Sequence, residues 1–239
     1  MYRKTSRPAI AMIELIFAIV IMGIAMMSAP MLISTATKSS YDAIQQEGIN
    51  EAASRVNMIM GYAWDENDTN ESYVPPLLHT TSPTTDLEVV GTTGRRIGTP
   101  MQSQRTYILS DSNTTELNAS SLGTDDAEAS QDDIDDFSGD INLTLVDNNT
   151  NTTDYIEKTT INIHTAVAYI RDNVTGGYSQ PTITYVPFTP SVTATSNIKS
   201  ITVTLTSTDT TNADVLGKTI VLRAFSCNIG GYEFKERVF

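Results

Sequence analysis

The chain has 239 residues and a formal net charge of −13, from 15 basic and 28 acidic side chains. An acidic chain repels a phosphate backbone, so this balance argues against direct binding of nucleic acid. A single cysteine, Cys227, excludes an intrachain disulfide and therefore a disulfide framework. The length is enough for one sizeable domain or two small ones, and the 40% of hydrophobic residues fits a folded globular body.

The first predicted element is a long apolar segment that directly follows a basic N-terminus. Residues 10–33 carry one charge, Glu14, and they are preceded by Arg3, Lys4 and Arg7. A helix over this segment would be about 36 Å long at about 1.5 Å per residue, and a hydrocarbon core is about 30 Å thick. Because flanking basic residues are retained in the cytoplasm, we expect a single-pass membrane helix with the C-terminal body on the far side.

Three kinds of N-terminal segment share these features: a cleaved secretory signal, a plain membrane anchor, and the assembly helix of a multi-subunit structure. A secretory signal has an apolar run of about 7–15 residues, and the only small-residue junction here, Ser28–Ala29, is preceded by Met27. A plain anchor leaves Glu14 unexplained, because a carboxylate in the bilayer costs roughly 2.5–3.5 kcal/mol and needs a partner. Cleavage before Ile10 would create a cationic α-amine, which can neutralise the carboxylate of a parallel, staggered neighbour.

The segment AIAMIELIFAIVIMGI resembles the N-terminal signal of type IV pilins and type II secretion pseudopilins. Members of that family have a short basic leader, a cleavage site, and an apolar helix with Glu as its fifth residue. The resemblance implies cleavage by a prepilin peptidase between Ala9 and Ile10, N-methylation of Ile10, and pairing of Glu14 with the amine of an adjacent subunit. The leader ends in Ala9, where most members have Gly, and Ile10 stands where most have Phe.

Beyond residue 33 apolar residues recur at spacings of three and four, as on one face of an amphipathic helix. We therefore predict one helix from about Ile10 to about Tyr62, kinked or locally opened at Pro30 because proline lacks an N–H. The predicted organisation is a leader at 1–9, a membrane or filament-core helix at 10–33, an amphipathic continuation at 34–63 and a globular head at 64–239.

The second half of the chain alternates apolar and polar residues, which is the pattern of half-buried strands. The alternating segments are Ile141–Leu145, Ile161–Ile163, Ile183–Tyr185, Ile201–Leu205 and Ile220–Phe225. Hairpin-linked strands favour an antiparallel sheet, and a helix followed by strands favours an α+β fold, which the pilin resemblance also implies. Residues 65–131 are typical of long loops, with Leu87–Val90 and Tyr107–Leu109 as candidate short strands.

The most acidic stretch, residues 124–140, contains no basic side chain. Two interpretations of it remain open. One is a solvated acidic loop that leads into a strand, and the other is a calcium site, because clustered carboxylate oxygens favour hard cations. The candidate calcium ligands are Asp132, Asp133, Asp135, Asp136 and Asp140.

Two shorter stretches, Trp64–Asn67 and Asp132–Gly139, resemble the D-type minor pilins of mannose-sensitive haemagglutinin pili. No catalytic triad, Cys/His pair or phosphate-binding glycine loop is recognisable, so we expect no enzymatic activity. The resemblances imply a structural subunit, a minor pilin or pseudopilin, held in the bacterial inner membrane before assembly with other pilin subunits. The alternative is a signal-anchored extracytoplasmic adhesin or binding protein that does not polymerise.

Overall fold

The computed structural model divides the chain into two compact units, Met1–Glu47 and Gly48–Phe239, with the boundary inside the first helix. The described residues are 8–70, 72–81, 85–88, 91, 94–100, 105–109, 115–123, 131–144, 160–172, 174, 176–184, 193–207, 216 and 218–231.

The predicted N-terminal helix is confirmed. Helix α1 spans Pro8–Ile59 and remains helical through Pro30, although proline supplies no N–H there. Every side chain from Met12 to Ala43 is exposed. By length and composition α1 can cross a membrane, and it is the one helix of the described residues that meets this criterion.

The second unit contains a four-stranded antiparallel sheet whose sequence neighbours are also neighbours in space. Its strands are β1 (Gly139–Thr144), β2 (Thr160–Ile170), β3 (Ile198–Ser207) and β4 (Ile220–Cys227), in the order β1-β2-β3-β4. The register places Ile163 of β2 opposite Leu205 of β3, and Val203 of β3 opposite Leu222 of β4. Because side chains alternate between the two faces of a strand, these apolar residues share one face. The coarse prediction of an α+β fold with an antiparallel sheet is confirmed.

The apolar face of the sheet and the C-terminal part of α1 form the core of the second unit. The buried residues include Ala52, Val56 and Ile59 of the helix and Ile161, Ile163, Val167, Ile201, Val203 and Leu205 of the sheet. A Cβ atom added to Gly48 would lie 3.2 Å from Leu205 Cδ2 and 3.8 Å from Ile161 Cδ1. The missing side chain of Gly48 therefore allows the helix backbone to pack closely against β3.

Two of the predicted strands are wrong. Leu87 and Glu88 belong to a short helix, α2 (Thr85–Glu88), and the pair Ile183–Thr184 is not in a strand. Ile183 is 49% exposed, so its alternation with Thr184 does not correspond to a buried face. The other candidate short strand, Tyr107–Leu109, contains one β-bridge, the isolated antiparallel bridge between Ile108 and Glu116.

Candidate functional site

The first candidate site is the apolar half of α1. Its start at Pro8 places the predicted cleavage position, Ala9 and Ile10, inside the first turn of the helix. Glu14 is exposed, as are the neighbouring apolar side chains of Ile13 and Leu15. Among the described residues no ion pair includes Glu14. An apolar surface of this kind needs cover from lipid or from other helices.

The second candidate site is a buried group of charges in the second unit, the Lys199 cluster, which consists of Lys199, Asp65, Asp133 and Asp135. The ammonium nitrogen Nζ of Lys199 contacts Asp135 Oδ1 and lies 3.4 Å from Asp65 Oδ2 and 3.8 Å from Asp133 Oδ2. All four side chains are at most 4% exposed. Three carboxylates therefore share one ammonium away from solvent, where each charge needs its partners.

Two aromatic rings complete the surroundings of the Lys199 ammonium. Nζ lies 4.9 Å from the ring centroid of Trp64 and 5.4 Å from that of Tyr169, within range of cation–π attraction. Tyr169 stands opposite Lys199 in the β2–β3 pairing, and Trp64 Nε1 donates to Ser226 O at 3.3 Å. The hydroxyl of Tyr169 lies 3.3 Å from Asp65 Oδ2. The rings thus fix the nitrogen laterally while the carboxylates bind it.

The carboxylates of the Lys199 cluster also accept hydrogen bonds from backbone N–H groups. The Ser120 N–H donates to Asp65 Oδ2 at 3.0 Å, and the Gly123 N–H donates to Asp135 Oδ2 at 2.9 Å. Asp133 Oδ1 accepts from the backbone N–H of Asp135 at 2.9 Å. These donors hold each acid in one orientation, which makes the arrangement around Nζ rigid.

Burial changes the proton affinity of two acids in and beside the cluster. Burial raises the pKa of Asp133 to about 7, against the opposing attraction of Lys199. Burial, followed by the charge of Asp65, also raises the pKa of Asp68 to about 7. Asp68 Oδ1 is buried without a hydrogen-bond partner among the described residues. Near neutral pH both groups can therefore hold or release a proton inside the head.

The structure places the predicted calcium ligands in two different settings. Asp133, Asp135 and Asp136 are buried in a turn that includes a short 3₁₀ helix, Asp135–Phe137, whereas Asp140 lies on β1. The interpretation as a solvated acidic loop is therefore wrong for this part of the stretch, because Lys199 and backbone N–H groups satisfy the carboxylates internally. The more N-terminal residues of the stretch, 124–130, lie outside the described residues.

The carboxylates of Asp136 and Asp140 also have protein partners. The backbone N–H of Asp132 donates to Asp136 Oδ2 at 3.1 Å, and Asp140 Oδ1 lies 3.0 Å from His164 Nδ1. In the described ranges no group of three or more His, Cys, Asp or Glu side chains could hold a metal ion. The calcium site stays a prediction from the sequence, and the geometry around these carboxylates adds nothing to it.

Sequence reasoning missed Lys199, although a signal for it was present. Lys199 stands two residues before Ile201 in an alternating strand, so it lies in phase with the apolar side chains that face the core. A lysine in phase with buried residues requires buried acids as partners. The sequence carries no comparable signal that Asp65 is one of those partners.

Comparisons with protein-family models, with curated proteins and with solved structures found no match for this chain. The assignment of a function therefore depends on the residues of α1 and the Lys199 cluster, and on the resemblance of the N-terminal segment to prepilin signals.

Proposed function

We propose that this protein is a structural subunit, a minor pilin or pseudopilin, of a type IV pilus or type II secretion pseudopilus. The observation that carries the proposal is α1, a continuous helix of 52 residues whose N-terminal part is apolar and exposed and contains one carboxylate, Glu14. Lipid covers such a surface before assembly, and the helices of other subunits cover it in a filament.

The position of Glu14 is what favours assembly over simple anchoring. A carboxylate in the bilayer costs roughly 2.5–3.5 kcal/mol unless it is paired. Cleavage by prepilin peptidase between Ala9 and Ile10 would give each subunit a cationic α-amine near the start of α1. In two parallel helices staggered by about one turn, the amine of one subunit reaches the Glu14 carboxylate of the other.

The proposed location and partners follow from this arrangement. Before assembly the subunit spans the bacterial inner membrane once, with its N-terminus in the cytoplasm and its head outside. Its partners are prepilin peptidase and other pilin or pseudopilin subunits.

A pocket of about 300 Å³ in the head, with Asp68, Tyr73 and Pro76 in its wall, favours a second candidate function. This is the signal-anchored adhesin or binding protein that does not polymerise.

The test of assembly replaces Glu14 with its isosteric amide. We expect Glu14→Gln to remain in the membrane and its share of sheared filaments to fall about tenfold or more, since 1.4 kcal/mol of lost pairing corresponds to about tenfold. The matched control is Glu47→Gln, which changes another exposed acid of α1 and should assemble normally. Equal recruitment of Glu14→Gln and wild type into filaments contradicts the role given to Glu14.

N-terminal sequencing of the mature protein separates the two candidate functions. A start at Ile10, with or without a methylated amine, supports the pilin proposal. A start at Met1 supports a plain anchor, and a start after Ala29 supports secretion.

A further inference from the structure

The Lys199 cluster brings together the parts needed to form an amide bond. The amino group of Lys199 contacts the carboxyl group of Asp135, and a second carboxyl oxygen, Asp133 Oδ2, lies 3.8 Å from the same nitrogen. We propose that the folded chain joins Lys199 Nζ to Asp135 Cγ in an intramolecular isopeptide bond, with Asp133 as the proton carrier.

Position and burial are the first requirement for this reaction. Two groups held in reacting geometry by a folded protein have effective concentrations of about 10⁵–10⁸ M. This offsets the unfavourable condensation of an amine and a carboxylic acid in water. The side chains of Lys199 and Asp135 are 0% and 1% exposed. Water that would hydrolyse the product is therefore kept away from it.

Proton transfer is the second requirement, because an ammonium has no free electron pair. Asp133 Oδ2, 3.8 Å from Nζ in the structure, moves into hydrogen-bond contact and accepts a proton from Lys199, and the resulting amine attacks Asp135 Cγ to form the C–N bond. Asp133 then returns that proton to Asp135 Oδ1, which takes a second proton from the nitrogen and leaves as water. One ammonium and one carboxylate become one amide and one water molecule, so the step needs no oxidant or reductant.

Stabilisation of the tetrahedral intermediate is the third requirement. The oxygen that remains in the amide, Asp135 Oδ2, already accepts the backbone N–H of Gly123 at 2.9 Å. That donor faces the atom on which negative charge develops during the attack, as in an oxyanion hole. Gly123 has a φ angle of 121°, a conformation that favours glycine, so the donor depends on this residue type.

The surrounding side chains favour Asp135 over Asp65 as the acceptor. Asp65 lies 3.4 Å from Nζ, and both of its oxygens accept the Ser120 N–H. Asp65 therefore acts as a fixed charge, while Trp64 and Tyr169 hold the nitrogen between their rings. The bond would close a loop over a sequence separation of 64 residues and join the turn before β1 to β3.

Peptide mapping of the full-length protein tests the proposal. Wild-type protein is purified in detergent, fully denatured and digested with trypsin, which does not cut at a lysine whose amine is in an amide bond. We expect peptides 106–158 and 172–218 to be joined, and the joined species to be lighter than their sum by one water molecule. A folded wild-type protein that yields the separate peptide 172–199 in full amount overturns the proposal.

Three variants identify the chemistry of the bond. In Asp135→Asn the same amide forms with loss of ammonia instead of water, and in Lys199→Arg no joined species forms. Asp133→Asn retains both reacting groups but loses the proton carrier, so we expect joining to slow by about 10²–10⁴-fold.

Asp140→Asn, a change at an exposed acid on β1, is the control and should join as wild type does. Since the wild-type digest needs no substitution, the proposal remains testable even if a variant fails to fold. Joining of a folded Asp133→Asn protein at the wild-type rate overturns the role of Asp133.

Discussion

The two candidate sites place a carboxylate group in opposite surroundings. Glu14 is exposed on an apolar helix and belongs to no ion pair among the described residues, and in the proposed assembly its partner is the amine of another subunit. Asp65, Asp133 and Asp135 are buried around the ammonium of Lys199, so the chain itself supplies their partner. The contrast teaches that the surroundings of an acid, and not its residue type, separate a group suited to assembly from one that stabilises the head.

The largest expected effect is a loss of stability of the head when Lys199, the partner of the buried acids, is replaced. Lys199→Met leaves three buried carboxylates without their cation and also prevents the proposed amide bond to Asp135, which together should lower the free energy of unfolding of the head by at least about 3–5 kcal/mol. Urea denaturation of the detergent-solubilised protein measures this, with fluorescence of Trp64, the only tryptophan, as the probe. Lys218→Met, at an exposed lysine, is the control and should change this free energy by less than about 0.5 kcal/mol. Equal denaturation midpoints of Lys199→Met and wild type would contradict the role of the cluster in stability.

A smaller effect on stability should distinguish glycine substitutions in the two parts of α1. Gly48→Leu places a side chain where even a Cβ would lie 3.2 Å from Leu205 Cδ2, so we expect a loss of about 1–3 kcal/mol in the stability of the head. Gly23→Leu is the matched control, because apart from the adjoining backbone of α1 no atom lies within 4 Å of a Cβ at that position. The midpoint of urea denaturation should therefore be lower for Gly48→Leu than for Gly23→Leu. A Gly23→Leu protein as destabilised as Gly48→Leu would show that the close packing at Gly48 is not the cause.

The smallest expected effect concerns the pH dependence of the head. Burial raises the pKa of Asp68 to about 7, above a usual value of about 3.9, so the folded state binds more protons between those pH values. Stability should therefore fall as pH rises from about 4 to about 7 and then level off. Asp68→Asn should reduce this fall and be more stable than wild type at pH 8, because the neutral amide places no charge in the buried site.

Thermal denaturation between pH 4 and pH 8 measures this dependence. Asp133 shifts in the same direction, so part of the pH dependence should persist in Asp68→Asn. Asp42→Asn, at an exposed acid of α1, serves as the control. An Asp68→Asn protein with an unchanged pH profile would contradict protonation of Asp68 in the folded head.

The sequence was sufficient to predict α1 and the four strands of the sheet, because their periodicities are long or strongly alternating. The prediction for β2 stopped at Ile163, whereas the strand continues to Ile170. In that continuation Ala166 and Ala168 occupy the alternate positions that polar residues would normally fill. The weak contrast between alanine and the inward-facing Val167 conceals the alternation.

The Lys199 cluster could not be assembled from the sequence because its members are far apart in the chain. Asp65 and Lys199 are separated by 134 positions, and Asp135 and Lys199 by 64. Two turns, the one after α1 with Asp65 and the one before β1 with Asp133 and Asp135, pack against the sheet and bring these charges together, and no local pattern encodes that packing. The acidic turn was visible in the sequence, but its burial depended on a distant lysine.

The turn after α1 gives force applied to the helix a second route into the head, beside the packing of the end of α1 on the sheet. Trp64 is hydrogen-bonded to Ser226 on β4, and Asp65 contacts Tyr169 on β2 and Lys199 on β3. Tension along α1 is therefore divided among three strands at once. When three strands share the load, no single strand has to separate from the sheet first. A helix attached to one edge strand would instead pull that strand away from the sheet.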